Sequence, residues 1–452
     1  MSDERDEQAY AGTAEGQGPV TIDEELARHL ANKREELFEE FDVRDGFPSE
    51  VRREAEERTT DIGADIAEEL DEDYRTDHRD LTTCTIDPGD AQDFDDAISI
   101  EREEDGYYHL WVHIADVTHY VHPGSAMWQE AVERGSTVYL PGYTVHMLPP
   151  VLAETACSLV PEEDRLAHTV EMLIDPETLS YEEIDIYKSV VHSDERLTYN
   201  EAERRLDDPD ADLHEELSLA YELAEEMHEQ RKEDGSLVLN PKRDRAHTII
   251  EECMLKANKA VTHQLQWVRG LEAMFRVHPQ PTPEEWDKAL QEIQDLDGVS
   301  IPADSWDDPR KAVNATLEQA PGRQLDKIQW AVMKVMPRAK YMSDPFGGHH
   351  ALNFEIYGHF TSPIRRLSDL VNHWIIYTDE TPEGHDLAAL CDHASDRQRD
   401  AETAERLYKQ FLQEVGLDPH AVNNRGLEVI EEPDEAEALD REAAEVDPEA
   451  LD

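Results

Sequence analysis

The stretch Thr85-Ile86-Asp87-Pro88-Gly89-Asp90-Ala91-Gln92-Asp93-Phe94-Asp95-Asp96-Ala97-Ile98-Ser99 constrains this chain most. Ile86, Phe94, Ala97 and Ile98, with Ile100 just beyond, are interleaved with aspartates, so the segment reads as core strand that must carry carboxylates inside. A buried carboxylate needs a charge partner. Carboxylate oxygens suit Mg²⁺ or Mn²⁺, and paired ions of this kind clamp the attacking and leaving oxygens of a phosphodiester. An EF-hand loop is excluded, because the run lacks the ligand alternation closed by a Gly and a final Glu.

The rival reading is acidic decoration, since 106 of the 452 residues are Asp or Glu. The interleaved apolar residues separate this run from the other acidic stretches. A formal net charge of −64 with 38% apolar residues describes a chain that stays solvated where salt screens its self-repulsion. It has the character of a halophile protein, and its stability is expected to require salt. Seven Trp, fifteen Tyr and long amphipathic stretches argue against a disordered acidic polymer. Cys84, Cys157, Cys253 and Cys391 show no CxxC spacing, which suggests neither a disulfide framework nor a zinc site and fits a reducing interior. With no apolar run of membrane-spanning length and no signal-like N-terminus, the expected location is the cytoplasm.

Residues 1–20 read as a disordered acidic leader and 21–77 as a helical N-terminal extension. Thr21 with Glu24 forms a capping-box pattern ahead of Leu26, Leu30, Leu37 and Phe38. Short strands are expected from 82 to about 175, including 110–114, 137–140 and 169–174. Helices are expected at 211–232, 247–265, 283–296, 323–336, 363–378 and 394–413. The pattern implies an α+β fold, a mixed sheet core surrounded by helices, in one large domain over 78–413. From 414 to 452 an acidic, largely disordered tail is expected. No internal repeat is found.

A second element is His359-Phe360-Thr361-Ser362-Pro363-Ile364-Arg365-Arg366-Leu367-Ser368-Asp369-Leu370, with Ser362 as N-cap and Pro363 in the first helical turn. A helix N-terminus there, with Arg365 and Arg366, makes a phosphate site. In isolation, a well-capped helix with surface arginines is the simpler reading. The metal cluster reverses that balance.

These two elements, with Val112-His113-Ile114-Ala115-Asp116-Val117, Val138-Tyr139-Leu140-Pro141, Met147-Leu148-Pro149, Cys157-Ser158-Leu159, Ile250-Glu251-Glu252-Cys253-Met254, Ala257-Asn258 and Arg276-Val277-His278, resemble the ribonuclease II / ribonuclease R (RNB) family in order over roughly 78–413. The resemblance implies an RNB-type catalytic domain, a 3′ to 5′ exoribonuclease that hydrolyses single-stranded RNA to nucleoside 5′-monophosphates with Mg²⁺, Mn²⁺ being the alternative. Asp87, Asp93, Asp95 and Asp96 match the family's active-site aspartates, with Asp87 and Asp96 as the most direct metal ligands and Asp95 as the one most critical for cleavage. Arg365 matches the arginine on the scissile phosphate, with Ser362 and Arg366 beside it. Tyr139 matches a base-stacking tyrosine, and Tyr199 with Glu251 and Glu252 matches positions that read the terminal ribose, where the 2′-hydroxyl distinguishes RNA from DNA.

His113, His278 and His359 are expected to be satisfied core histidines. Leu367 and Trp374 depart from the family's Tyr and Arg, and are expected only to repack their helix. Leu237-Val238-Leu239 supplies no aromatic where a second stacking Phe is common, so an aliphatic wall for the base is expected there. A catalytic domain without the flanking OB-fold domains of many members is expected, which leaves room for an accessory RNA-loading protein and leaves oligomeric state open. A non-catalytic RNA-binding scaffold of the same fold is the alternative from a different class, and an unrelated phosphohydrolase is a further one.

Overall fold

The computed structural model describes residues 18–72, 74–240, 243–302 and 307–430; the expected leader up to 17 and the tail from 431 lie outside them. The chain divides into two compact units, one of residues 1–45, 138–145 and 400–452, the other of 46–137 and 146–399.

The larger unit is built on a seven-stranded sheet. Its strands are β1 (Thr76–His78), β2 (Cys84–Asp87), β3 (Asp96–Arg102), β4 (Tyr108–Ala115), β5 (Asp164–Ile174), β6 (Tyr181–His192) and β7 (Glu195–Thr198), in spatial order β7-β2-β3-β4-β5-β6-β1. The four pairings from β2 through β6 are antiparallel, and the two outer ones, β7 on β2 and β1 on β6, are parallel. Strands therefore continue past 175, the expected end of the sheet, through Tyr181–His192 and Glu195–Thr198. In β6 the charged residues of Tyr181-Glu182-Glu183-Ile184-Asp185-Ile186 are mostly on the open side, which hides its pairing from a hydrophobicity scan.

Ile86, Ile98, Leu110, Val112 and Ile114 from the sheet share one core with the helices that cover it. Three of these follow the turn after β7: α1 (Tyr199–Asp207), α2 (His214–Glu233) and α3 (Arg245–His263). In α3, Ile249, Cys253, Ala257 and Ala260 recur at helical spacing and are all buried. Burying one such isoleucine contributes about 1.5–3 kcal/mol. A further helix, α4 (Leu367–Thr378), carries Leu367 fully into this core, and Trp374 meets Trp128 edge-on at 6.4 Å, so both family departures do repack the helix. The mixed α/β architecture is the one the sequence implies.

A second, helical core gathers Trp286, Leu290, Ile293 and Ile328, and Leu237 is buried within it. Val238 and Leu239 beside it are half-buried.

In the smaller unit, Val20–Asp23 pairs in parallel with Leu427–Ile430. Thr21 is therefore strand, and the first helix begins at Glu24, capped by Asp23 at 2.7 Å from the Leu26 nitrogen. The capping box expected at Thr21 fails because strand pairing claims that backbone. Pro419–Arg425 is helical, so the stretch after 414 begins with ordered structure. Leu30, Leu37, Phe38, Tyr408 and Leu412 fill this unit's core.

Asp116 is the main buried ion centre of the larger unit. Its carboxylate accepts from Arg75 at 2.6 Å and Thr118 at 2.6 Å, with His168 at 2.9 Å and Lys188 at 3.3 Å. Burial opposes its ionisation, but His168, Lys188 and Arg75 outweigh that and hold it well below the usual carboxylate range. Asp116→Asn leaves Arg75 and Lys188 without their counter-charge. It should cost about 3–5 kcal/mol in urea unfolding at fixed KCl, and a loss below about 1 kcal/mol would show that the cluster is not holding the sheet.

Candidate functional site

The aspartate loop lies where antiparallel β2 and β3 end and begin. Asp87 closes β2 and Asp96 opens β3, so both stand at the same end of the sheet. The parallel register of β7 on β2 sets Thr198 opposite Asp87, and the next residue, Tyr199, opens α1. Proximity of Tyr199 to the aspartates thus follows from strand register. Burial raises the Tyr199 hydroxyl above its ordinary value, and Asp96 and Asp87 raise it further. Its ring lies flat on His247, 3.6 Å between centroids and 6° between planes.

Between the strands the loop is held by one serine. The Ser158 hydroxyl accepts from the Phe94 nitrogen at 2.9 Å and donates to the Gln92 carbonyl at 2.8 Å, while the Leu159 nitrogen donates to the Phe94 carbonyl at 3.0 Å. These bonds grip the loop on both sides of Asp93. The Asp93 carboxylate has His146 at 3.9 Å, and His146 in turn reaches Glu154 at 2.8 Å.

Asp95 is 3% exposed. Its Oδ1 accepts from the Ile364 nitrogen at 2.8 Å, and its Oδ2 lies 3.4 Å from the Arg365 guanidinium, a charge contact without a hydrogen bond. Burial pushes the Asp95 carboxyl well above its usual range, only partly opposed by Arg365 and the Ile364 N–H. Burial and the neighbouring Asp96 push Asp87 up to about 8. Burial pushes Asp96 up to about 6 against the pull of Arg365 and Arg366.

The segment 359–366 supplies the opposing charge, and it is not the helix start that was expected. α4 begins at Leu367, and Ser362–Arg366 forms a turn closed by the Arg366 nitrogen on the Ser362 carbonyl at 3.0 Å. Its N–H groups are taken: Ser362 by the Asp369 carboxylate at 2.8 Å, Ile364 by Asp95, and Leu367 by the Gly135 carbonyl at 3.1 Å. Gly135 stands at φ +65°, and a Cβ there would lie 2.6 Å from the Arg397 side chain, so only glycine brings this carbonyl in. Asp369, fully buried, also binds Arg366 through two bonds of 2.6 and 2.9 Å. Arg366 is thus spent on the fold, whereas the Arg365 side chain is 42% exposed. Ser362 is buried and accepts from Arg365 at 2.9 Å.

The strand-like stretch before this turn is fixed by side chains. Asn258 accepts from the Phe360 nitrogen at 2.7 Å, Asn372 donates to the His359 carbonyl at 2.8 Å, and His373 donates to the Phe360 carbonyl at 2.6 Å. His113 bonds Thr169 and Ser99, His278 bonds the Pro337 carbonyl and His359 bonds Tyr341, so all three are satisfied interior histidines.

Glu251 and Glu252 on α3 differ. Burial works to raise Glu252, but His228 at 2.9 Å and Arg231 at 3.1 Å hold it below the usual range. Glu251 is more open and is paired with Arg231 at 3.2 Å and with Arg243. Tyr139 belongs to the smaller unit, on the hairpin Val138–Leu140/Tyr143–Val145, where its nitrogen donates to Glu405 at 2.8 Å.

The structure therefore brings Asp87, Asp93, Asp95, Asp96, Arg365 and Tyr199 together. Sequence reasoning missed Ser158, His146, Asn258 and Asp369 as their supports. Ser158, Asn258 and Asp369 sat inside the motifs and His146 directly before Met147, so membership of a motif or adjacency to one was the available signal. Among the described residues, no three His, Cys, Asp or Glu side chains stand in a ready-made metal group. The donor set still fits a hard divalent cation: buried Oδ2 atoms of Asp87 and Asp95 have no hydrogen-bond partner, and the nearby arginines only partly offset the burial that raises three carboxyls. No helix among the described residues is long and apolar enough to cross a membrane.

Comparison with known proteins agrees with this geometry. Ribonuclease R of Aquifex aeolicus is 35% identical over 369 residues, covering 75% of this chain and 50% of that protein. Among solved structures, Mycoplasma genitalium RNase R in complex with ribose-methylated single-stranded RNA superposes with a TM-score of 0.75 at 24% identity, over 85% of this chain and 64% of that one. Yeast Ssd1, described as a pseudonuclease, shares the fold with a TM-score of 0.66 at 23% identity, over 75% of this chain and 45% of that one. The chain spans about half the length of the ribonuclease R sequence it matches. An RNB domain model matches residues 75–379, two thirds of the sequence, and the chain belongs to the RNB domain family.

Proposed function

We infer that this protein is a 3′ to 5′ exoribonuclease that hydrolyses single-stranded RNA to nucleoside 5′-monophosphates. The observation that carries the reading is the meeting of four aspartates, two with unpartnered buried oxygens, and one half-exposed arginine at the end of the sheet. The name ribonuclease R borne by its relatives supports RNA as the substrate class. Bound Mg²⁺, or Mn²⁺ in its place, held by Asp87, Asp93, Asp95 and Asp96, supplies Lewis-acid stabilisation of the phosphoryl oxygens.

The chain's own groups then have defined tasks. Arg365 faces the phosphate with a fixed positive charge and offsets the negative charge that develops on its oxygens. Asp95, anchored through Oδ1 by Ile364, offers Oδ2 to take a proton from the attacking water. Tyr199, braced flat against His247, and Glu251 are the groups assigned to a ribose hydroxyl, because Glu252 is tied to His228 and Arg231. Of the pair, Glu251 is therefore the ribose reader. Arg366 and Ser362 support Arg365 rather than touch RNA. Tyr139 stays in the reading as a base-stacking residue on sequence grounds alone.

The net charge of −64 and the screening it calls for support a salt-adapted protein working in the cytoplasm. The scaffold alternative has a counterpart in Ssd1, a pseudonuclease. Retention of all four aspartates here favours hydrolysis.

A 5′-labelled oligoadenylate in molar KCl should shorten from its 3′ end and release AMP only when Mg²⁺ is present, and the matching DNA should survive. Asp95→Asn should lower the rate about 10²–10⁴-fold while RNA binding persists. Unchanged hydrolysis by that variant would sink the mechanism, and a folded wild type that binds RNA without cutting it would move the reading to the scaffold.

Proton linkage gives a second test. The folded, cation-free protein keeps protons on Asp87 and Asp96, near 8 and 6, that the unfolded chain gives up near the ordinary 3.8. Their stabilising contribution is full below about pH 4 and is lost as pH rises through 6 and 8. Cation binding should displace those protons. Calorimetry at pH 7 in buffers of different ionisation enthalpy should show at least about one proton released per protein on Mg²⁺ addition, from Asp87 with a further contribution from Asp95. Zero release at pH 7 would contradict the assigned ligands.

A further inference from the structure

In a chain of net charge −64, only twelve residues are lysines, and two of them, Lys256 and Lys259, stand one turn apart on α3. Both line a cavity together with Arg231, Asp234, Glu252 and Phe354. The Lys256 ammonium donates to the Leu179 carbonyl and lies 4.2 Å from the centre of the Tyr181 ring. The Lys259 ammonium lies over Phe354 at 4.5 Å. Neither lysine forms an ion pair among those the structure places within contact distance, although Asp234 acts on Lys259 from the same wall.

Charge balance gives the cavity its sign. Arg231 is matched by Glu252 at hydrogen-bond distance, which leaves two ammonium groups against the single carboxylate of Asp234. Burial draws Lys256 down to about 7 and lowers Lys259 as well, the behaviour of cations short of anionic company. Keeping two such groups together costs free energy unless an anion relieves it. Two adjacent ammonium groups with several uncommitted N–H donors match a compact, multiply charged oxyanion.

We propose that this cavity binds the phosphate group of a small anion, either inorganic phosphate or a nucleoside monophosphate, through Lys256 and Lys259. Neither lysine belongs to the hydrolytic machinery, and the proposal does not depend on hydrolysis. Occupancy has a consequence for the neighbouring helix face. Arg231 lines the cavity while holding both Glu251 and Glu252, so an anion there competes for the cation that fixes that pair.

The test is thermal unfolding of the full chain titrated with inorganic phosphate at constant ionic strength in KCl, with AMP and adenosine as parallel arms. The wild type should gain stability with phosphate, and Lys256→Met/Lys259→Met should lose that gain. Lys259→Gln alone, changed at the half-open lysine that holds no hydrogen bond in the fold, should weaken phosphate binding about tenfold, and it keeps the test decisive if the double variant does not fold. Scoring only the part of each shift that the variants remove, equal effects of phosphate and AMP identify the phosphate group as what is read. A larger AMP effect identifies the nucleotide. The proposal is overturned if phosphate leaves the wild type unmoved, if the variants keep the full shift, or if adenosine acts as strongly as AMP.

Discussion

Burying carboxylates at the end of a sheet is the constraint around which this molecule is arranged. Two solutions appear in one unit. Asp116 is surrounded by Arg75, His168 and Lys188 and is held ionised, well below the usual range. Asp87, Asp95 and Asp96 have far less company and are pushed upward, Asp87 to about 8. The first arrangement closes a structural centre. The second leaves charge demand that only something from outside can meet, which is the physical distinction between a scaffold carboxylate and a working one. The reading of a metal-dependent hydrolase rests on that contrast more than on the count of aspartates.

The positive side of the site is built differently. Residues 359–366 form neither helix nor sheet strand, so their backbone groups are satisfied by Asn258, Asn372, His373, Asp369 and the Gly135 carbonyl. A regular element would use its own N–H and C=O groups internally. An irregular one can present the Ile364 N–H to Asp95 and leave Arg365 partly open. The cost is a set of buried polar supports that must all be in place.

This division explains what could be read from the chain. Periodicity made the strands around Asp96 and Leu110–Ile114 legible, and the aspartate cluster stood out because apolar residues broke it up. The helix expected from Ser362 was misplaced because its capping signal is local, while the contacts that override it come from Asp95, Gly135 and Asp369. Strand β6 escaped because its charged residues face outward. Glu251 and Glu252 were equivalent as letters, and only the positions of His228, Arg231 and Arg243 separate them. The site's elements could be seen in sequence, but their supports are set by contacts made between distant segments.

The charge of the whole molecule and the charge of its interior have opposite uses. Outside, −64 repels a polyanion over long distances. Inside, Arg365 at 3.4 Å from Asp95 and Arg231 at 3.1 Å from Glu252 act at contact. If the chain works at molar salt, the Debye length there is about 3 Å, so screening removes the long-range repulsion while pairs in contact, buried on at least one side, keep more of their strength. Salt would then act selectively, erasing the part of the field that opposes RNA and sparing the part that positions it. Ordinary nucleic-acid binding proteins lose affinity as salt rises because their attraction is the long-range term. On that proposal the long-range term is the unfavourable one, and the sign of the salt effect on binding would be reversed over the range in which screening is still growing.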